Sequence, residues 1–591
     1  MTVIHAVSDV SKCMSVVGAV LGLVTSISAA DVKFPNADGS NDISSDAAWG
    51  GSKPGVSDTA IFTGTNCTHT AKADVEFGLM KVMSPDPSWS WKHRTLTFDM
   101  RPEVSGATAD APRTIRVKGL DSGSYGMDLL VRGGVWDFKN GEAANNMPTM
   151  SGGWTVENSI TFSDGAVIQN VKCAYQMINA NTRSHFRLTG GSTFKSTTAL
   201  WPFDTGYTNT FEVLDGSYCK IMGLQFGRGG SSQSARESAN RIVVAGRGSR
   251  FEATGYVADA ISIGYKTDTL DGAPGNVFCV TNGGSVKFNG DFVVGSTRSN
   301  TLWLDAGGSL TGSAMRVGYT SVASNNLVFV GKGSTLSINA GNRITLGCTA
   351  GADGNALVVS NGYVNVPFLY IGRSGACNNL VRVCGPDAVL NVQSLAGGGL
   401  FADGVEGSRG NALELDGGAT VDWTAAPSDL FMGGHLGAVS IGNEVRLRNG
   451  STLKANNCYV GHTNSTENVL KIDATSQLAC SGGSQIVHAY PGNTIKLTVP
   501  SEGYVKKPIL AATFTFDAGS VLQIDASAWT SGPKSCTVFS SWKALEIAPS
   551  VIEAANADLD GKYTLKYTLK LSKDKMMLTL HRHEGMLLIV R

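Results

Sequence analysis

Between Asn209 and Asn468 the chain repeats one polarity pattern ten times: an asparagine, then apolar side chains at the second and fourth positions after it. The asparagines are Asn209, Asn240, Asn276, Asn300, Asn326, Asn355, Asn379, Asn411, Asn443 and Asn468, spaced 24 to 36 residues apart. The second positions run from Phe211 through Leu302 and Val328 to Leu470, and the fourth from Val213 through Leu304 and Val330 to Ile472. Alternation with period two predicts a strand with one buried face. A glycine corner usually follows, as in Gly307-Gly308-Ser309 or Asn449-Gly450-Ser451, where glycine supplies the backbone freedom of a sharp turn. A second short alternation comes next, for example Leu336 with Ile338. Most units then close on an apolar residue plus glycine, such as Val294-Gly295, Val317-Gly318 and Ile371-Gly372.

Three short strands and three turns per unit predict one coil of an all-β, right-handed parallel β-helix, a β-solenoid of about 24–36 residues per coil. One coil cannot bury its apolar face alone. Stacking coils about 4.8 Å apart pairs every strand with the coils above and below and joins their apolar faces into one core. The recurring asparagine then has a structural task, hydrogen-bonding its counterparts in a ladder at the bend. A propeller blade needs 40 or more residues and four antiparallel strands, which this spacing does not supply. The pattern predicts the β-helix over 111–492, with an N-terminal strand-rich cap over 31–110 and a C-terminal β-rich cap over 493–591. Atypical ends are expected, because an open solenoid end exposes strand edges.

Residues 1–30 follow a different rule. Lys12 precedes an apolar run from Met14 to Val24, and Ser28-Ala29-Ala30 offers small residues for cleavage, so the segment reads as a signal peptide. The run is too short to anchor the mature chain, for which no transmembrane segment is expected. An exported protein follows, extracellular or at the cell surface, with the periplasm as the alternative. Composition narrows the partners: 48 basic residues balance 48 acidic ones, and no basic cluster carries interleaved aromatics, so nucleic acid is not expected. The ten cysteines after residue 30 are scattered through the repeats without zinc-like spacing and read as buried small side chains.

The stretch WGGSKPGVSDTAIF, with Trp49, Pro54, Asp58, Ala60 and Phe62, followed by asparagine-led coils with GGS corners, resembles the passenger β-helices of bacterial autotransporter-like surface proteins. The resemblance covers most of residues 40–500 and implies an autotransporter-like, adhesin-type surface role. Autotransporters end in a membrane barrel of many ~10-residue strands. The residues after 500 are too few for one, which points to another exporter or to periplasmic retention.

Enzymes built on parallel β-helices gather acids and bases from neighbouring coils on one outer face. The outward third positions after each asparagine read Glu212, Val243, Cys279, Trp303, Phe329, Val358, Arg382, Glu414, Arg446 and Lys471. The charged run at the end reads as ion pairs between coils, and no catalytic residue is assigned. The apolar stretch from Val243 to Val358 reads either as an exposed contact stripe or as a surface covered by an inserted loop. If exposed, Trp303 and Phe329 are the ligand-binding candidates, for sugar rings or a partner protein. Insertions at 227–240, 264–276 and 396–411 project from the coils; Asp403, Glu406 and Arg409 in the last are the nearest approach to a charged cluster and read as loop solubility. His581-Arg582-His583 is a poor metal site, and no metal or cofactor is expected. The reading is an exported structural or adhesive rod without catalysis, meeting glycans, cell-surface proteins or copies of itself. The alternative is a pectate-lyase-like polysaccharide lyase or a glycoside hydrolase.

Overall fold

The computed structural model describes residues 30–583, apart from 36–40, 64–65, 84–93, 118–119, 123–126, 139–144, 147, 152–157, 174–177, 180–182, 204–207, 228–238, 256–258, 266–273, 394–406, 425–428, 434–438, 482–483, 505, 544, 561 and 564. The apolar run of the expected signal peptide therefore lies outside the described residues. The rest forms a parallel β-solenoid. Its first face holds the strands that follow the asparagines, from Cys67–His69 to Val521–Asp525, seventeen in all, and its second face carries another seventeen, from Val75–Phe77 to Ile509–Leu510. The third face is interrupted: six strands from Asp31–Lys33 to Ile178–Asn179, six from Leu224–Phe226 to Phe368–Ile371, and five from Leu430–Met432 to Glu546–Ile547. Parallel pairing already joins Cys67–His69 to Arg94–Asp99 and still joins Thr494–Thr498 to Val521–Asp525, so the stacking runs past both ends of 111–492. The earliest coils lack the asparagine signature, which is why the pattern does not mark them.

The apolar positions point inward in every repeat. All twenty second and fourth residues, from Phe211 and Val213 to Leu470 and Ile472, are at most 2% exposed. They stack in register, so Val280, Leu304 and Val330 form one column of the core. Toward the N-terminus that core is aromatic, with Phe98, Trp136, Phe162, Phe186 and Phe211 in successive ring contacts; farther on it becomes aliphatic.

The asparagines form the expected ladder, fully enclosed. The backbone N–H of Asn300 donates to Oδ1 of Asn326 at 2.9 Å, and Asn326 repeats this toward Asn355 at 3.0 Å. The side-chain amide of Asn326 also donates to Asn355 Oδ1, at 2.9 Å. The same bonds continue through Asn379, Asn411, Asn443 and Asn468 to Asn493. Upstream, Ser184 takes a rung, its N–H donating to Asn209 Oδ1 at 2.9 Å. A bend that turns its backbone N–H inward must satisfy it there, and one short amide per coil does so.

The closing glycines belong to this ladder. A Cβ built on Gly295, whose φ is +83°, would fall inside the van der Waals shell of the Asn326 amide. Gly264, Gly318, Gly347, Gly372 and Gly461 stand in the same relation to Asn300, Asn355, Asn379, Asn411 and Asn493. The apolar–glycine pair that ends a coil is thus the space into which the asparagine two units on packs its side chain.

The two ends close differently. At the N-terminus Trp49 donates its indole N–H to the Ile43 carbonyl at 2.9 Å and packs edge-on against Phe34. Asp58 ties the following turn together, accepting from the N–H groups of Gly55 at 2.8 Å and Ala30 at 3.0 Å. At the C-terminus an antiparallel sheet of Ser535–Ser540, Met577–His583 and Lys566–Leu571 meets a helix, Pro549–Leu559. That helix buries Val551, Ala555 and Leu559, four residues apart and so on one face, and packs on the last first-face strand.

His69 sits inside the first coils, its ring centroid 4.9 Å from that of Phe34 and 5.2 Å from that of Phe62. Burial pushes its pKa down to about 4. The folded state therefore holds it neutral, and its contribution is complete above the unfolded value near 6.5 and falls as pH drops toward 4. Over that interval the N-terminal coils are expected to lose about 3 kcal/mol from this group. His69→Phe should flatten the acid limb of the stability profile in urea unfolding followed between pH 7 and 4; an unchanged profile would show that other groups set it.

Candidate functional site

The outward side of the first face is one continuous column. From Thr161 it passes through Arg187, Glu212, Val243, Cys279, Trp303, Phe329, Val358, Arg382, Glu414 and Arg446 to Lys471, each directly opposite the next. Its charged parts are paired. Arg187 bonds Glu212 at 2.6 Å, Arg382 meets Asp416 at 3.3 Å, and Glu414 meets Arg448 at 2.9 Å. Arg446 and Lys471 both close on Glu444. Arg187 and Glu212 pair straight up the column, whereas the later pairs run diagonally or along a strand, as where the like-charged neighbours Arg446 and Lys471 share Glu444.

Between the charged runs, five successive rungs are apolar. Cys279 is buried, while Val243, Trp303, Phe329 and Val358 are half-buried. At the coil spacing the stripe is about 19 Å long. Trp303 and Phe329 stack face to face, centroids 3.9 Å apart and planes 18° apart. The Cys279 rung lies on the other side of Trp303 and the Val358 rung on the other side of Phe329. The faces of both rings are thereby turned toward neighbouring rungs of the column, and what the stripe offers outward is a ledge of ring edges and methyl groups.

A second aromatic surface occupies the third face and escaped a sequence reading confined to positions after the asparagines. Phe431 stacks on Tyr459 at 4.7 Å and 10°, and His488 on Tyr490 at 4.1 Å and 20°. His488 Nε2 lies 3.0 Å from the Asp517 carboxylate. The signal was present: Phe431 and Tyr459 stand immediately before the closing pairs Met432-Gly433 and Val460-Gly461, at matched positions in adjacent coils.

The third face also sets two carboxylates opposite each other in adjacent coils, Asp259 and Asp291. Asp291 is ion-paired with Arg316. Asp259 is partly enclosed, and burial holds its carboxyl above the ordinary range against the pull of Arg316. A carboxyl raised in the folded state costs stability once pH passes the unfolded value near 4. Asp259→Asn is therefore expected to raise the unfolding midpoint at pH 7, by a gain that vanishes at pH 3. Equal effects at both pH values would contradict the enclosed-acid assignment.

Asp403 and Glu406 lie outside the described residues, as do most of the 227–240 and 264–276 insertions, while Arg409 is the exposed end of a two-residue strand whose Ser408 is buried. His583 Nε2 hydrogen-bonds Thr568 at 2.8 Å, and no metal-ligating cluster occurs among the described residues. The cysteines with described side chains are free thiols, and burial pushes those of Cys348 and Cys480 up to about 12, which suits packing rather than reactivity. No helix among the described residues is long and apolar enough to cross a membrane. No family model, curated protein or solved structure matches this chain.

Proposed function

We propose that this chain is an exported rod, an adhesin-like surface scaffold that holds glycans or other cell-surface partners without transforming them. The observation that carries the reading is the Val243–Val358 stripe: a half-buried apolar ledge, five rungs long, in a column whose neighbouring charges are paired. A solvated face gains nothing from tryptophan and phenylalanine at adjacent rungs, whereas a contact face gains apolar area on a rigid support. The edge-out ledge suits the apolar side of a sugar or a hydrophobic protein surface, and the resemblance to autotransporter passengers supports the same role. Purified residues 31–591 carrying Trp303→Ala and Phe329→Ala should keep the wild-type circular dichroism spectrum and lose retention on glycan arrays or cells. Full retention by the folded double variant would remove the stripe from the binding surface.

A second reading, a polysaccharide lyase or glycoside hydrolase, has one observation in its favour. Asp259 and Asp291 face each other in adjacent coils, Asp259 with its carboxyl held up by burial and Asp291 ion-paired with Arg316, two carboxylates in different settings as an acid/base pair uses.

A further inference from the structure

A groove of about 490 Å³ opens on the second face, away from the stripe and from the Asp259–Asp291 pair, lined by Gln169, Asn170, Lys195, Thr197, Tyr218 and Lys220 among others. It arises where the stacking slips. Between Ile168 and Val171 the register to the next coil shifts, with Asn170 at φ +58°. The Asn170 amide is held by donating to Asp137 Oδ1 at 2.6 Å. Such a bulge re-aims side chains and breaks an otherwise even surface.

On the next two rungs Lys195 and Lys220 stand directly opposite each other, both exposed. Like charges in this relation repel. Elsewhere on the same outer column, charges that stand directly opposite each other are of opposite sign: Glu76 with Arg116, Arg116 with Asp137, Glu252 with Lys287, and Asp422 with Lys454. Among the described residues Lys195 and Lys220 have no carboxylate within ion-pair distance. Glu252, one rung beyond Lys220, is engaged by the Tyr218 hydroxyl at 2.6 Å. Arg250 adds another cation over the Tyr218 ring, 4.8 Å from its centroid. An in-register pair of unneutralised ammonium groups breaks the rule that the rest of the column keeps, which is the mark of a site adapted to something outside the chain.

We propose that this groove binds an acidic polysaccharide, its uronate carboxylates on Lys195 and Lys220 and its hydroxyls on the amide of Gln169 and the hydroxyl of Thr197. One ammonium per coil sets the cations about 4.8 Å apart, close to the length of one sugar along a chain. Neutral donors and acceptors beside them match sugar hydroxyls rather than a compact inorganic anion. The proposal goes beyond the stripe reading and does not depend on it.

The test is binding of polygalacturonate, a heparin-type sulfated glycan and neutral dextran to wild-type residues 31–591 and to Lys195→Gln/Lys220→Gln. Wild type should bind polygalacturonate, more weakly as salt rises, and leave dextran unbound. The double variant should lose about tenfold or more in affinity, with a melting temperature unchanged or higher as the repulsion is relieved. Equal affinity of the double variant, or binding insensitive to salt, would overturn the site. Preference for the sulfated glycan with the same lysine dependence would overturn the uronate assignment. Binding that survives the lysine changes but fails in the Trp303→Ala/Phe329→Ala variant would assign the glycan to the stripe instead.

Discussion

Leu304→Asp is expected to collapse the middle of the rod. Leu304 has no exposed surface and stacks between Val280 and Val330 in the core column. A carboxylate there has no partner, and a protonated carboxyl would leave its own hydrogen bonds unmade. The cost is on the order of 5 kcal/mol or more. In a solenoid each coil is stabilised mainly by its two neighbours, so the loss spreads to adjacent rungs before it reaches the caps. Thermal unfolding should shift down by many degrees, and limited proteolysis should open new sites near residues 280–330. Retention of the wild-type midpoint would show that the fourth-position column is not the core.

Gly295→Ala should cost nearly as much for so small a change. The added methyl needs a left-handed backbone that alanine adopts only at a penalty of about 1–2 kcal/mol. It also overlaps the Asn326 amide, which has little room to retreat because that amide accepts from Asn300 and donates to Asn355. Displacing it leaves buried polar groups unsatisfied, adding about 1–3 kcal/mol. The total is roughly 2–5 kcal/mol. Asn326→Ala removes the clash partner, so the double variant should be clearly less unstable than the sum of the two single changes. Strict additivity in chemical denaturation would separate the glycine from the ladder.

Both experiments rest on features that differ in how openly the sequence shows them. The asparagine positions and the period-two apolar residues are legible because each obeys one local rule repeated ten times. The closing glycines are equally visible, but their purpose is not: Gly295 meets an asparagine 31 residues away, a contact that exists only once coils are stacked. The coils before residue 111 stay hidden because they lack the asparagine-led pattern, although buried aromatics such as Phe62 and Phe98 already pack their core. At the surface, Trp303 and Phe329 could be placed on one column from spacing alone, whereas their mutual stacking could not. The lysine groove depends on a slip in register at Asn170, and no spacing rule reveals that.

The chemistry follows the same division. Charge type along a strand is visible in the sequence, but whether a charge is paired depends on neighbours one coil away. Arg382 and Glu414 look like partners, yet the structure gives them to Asp416 and Arg448. Asp259 and Asp291 gave no signal at all, because they open third-face strands whose start is set by insertions of variable length.

The claim that binds these observations together is that the rod holds polysaccharide without cutting it. Incubating residues 31–591 with plant, mucin and bacterial polysaccharides, then measuring both retention and polymer length, addresses it most directly. The account predicts that at least one polymer is retained and that its chains keep their length. Shortened chains would contradict it, and Asp259→Asn would be the variant to examine next.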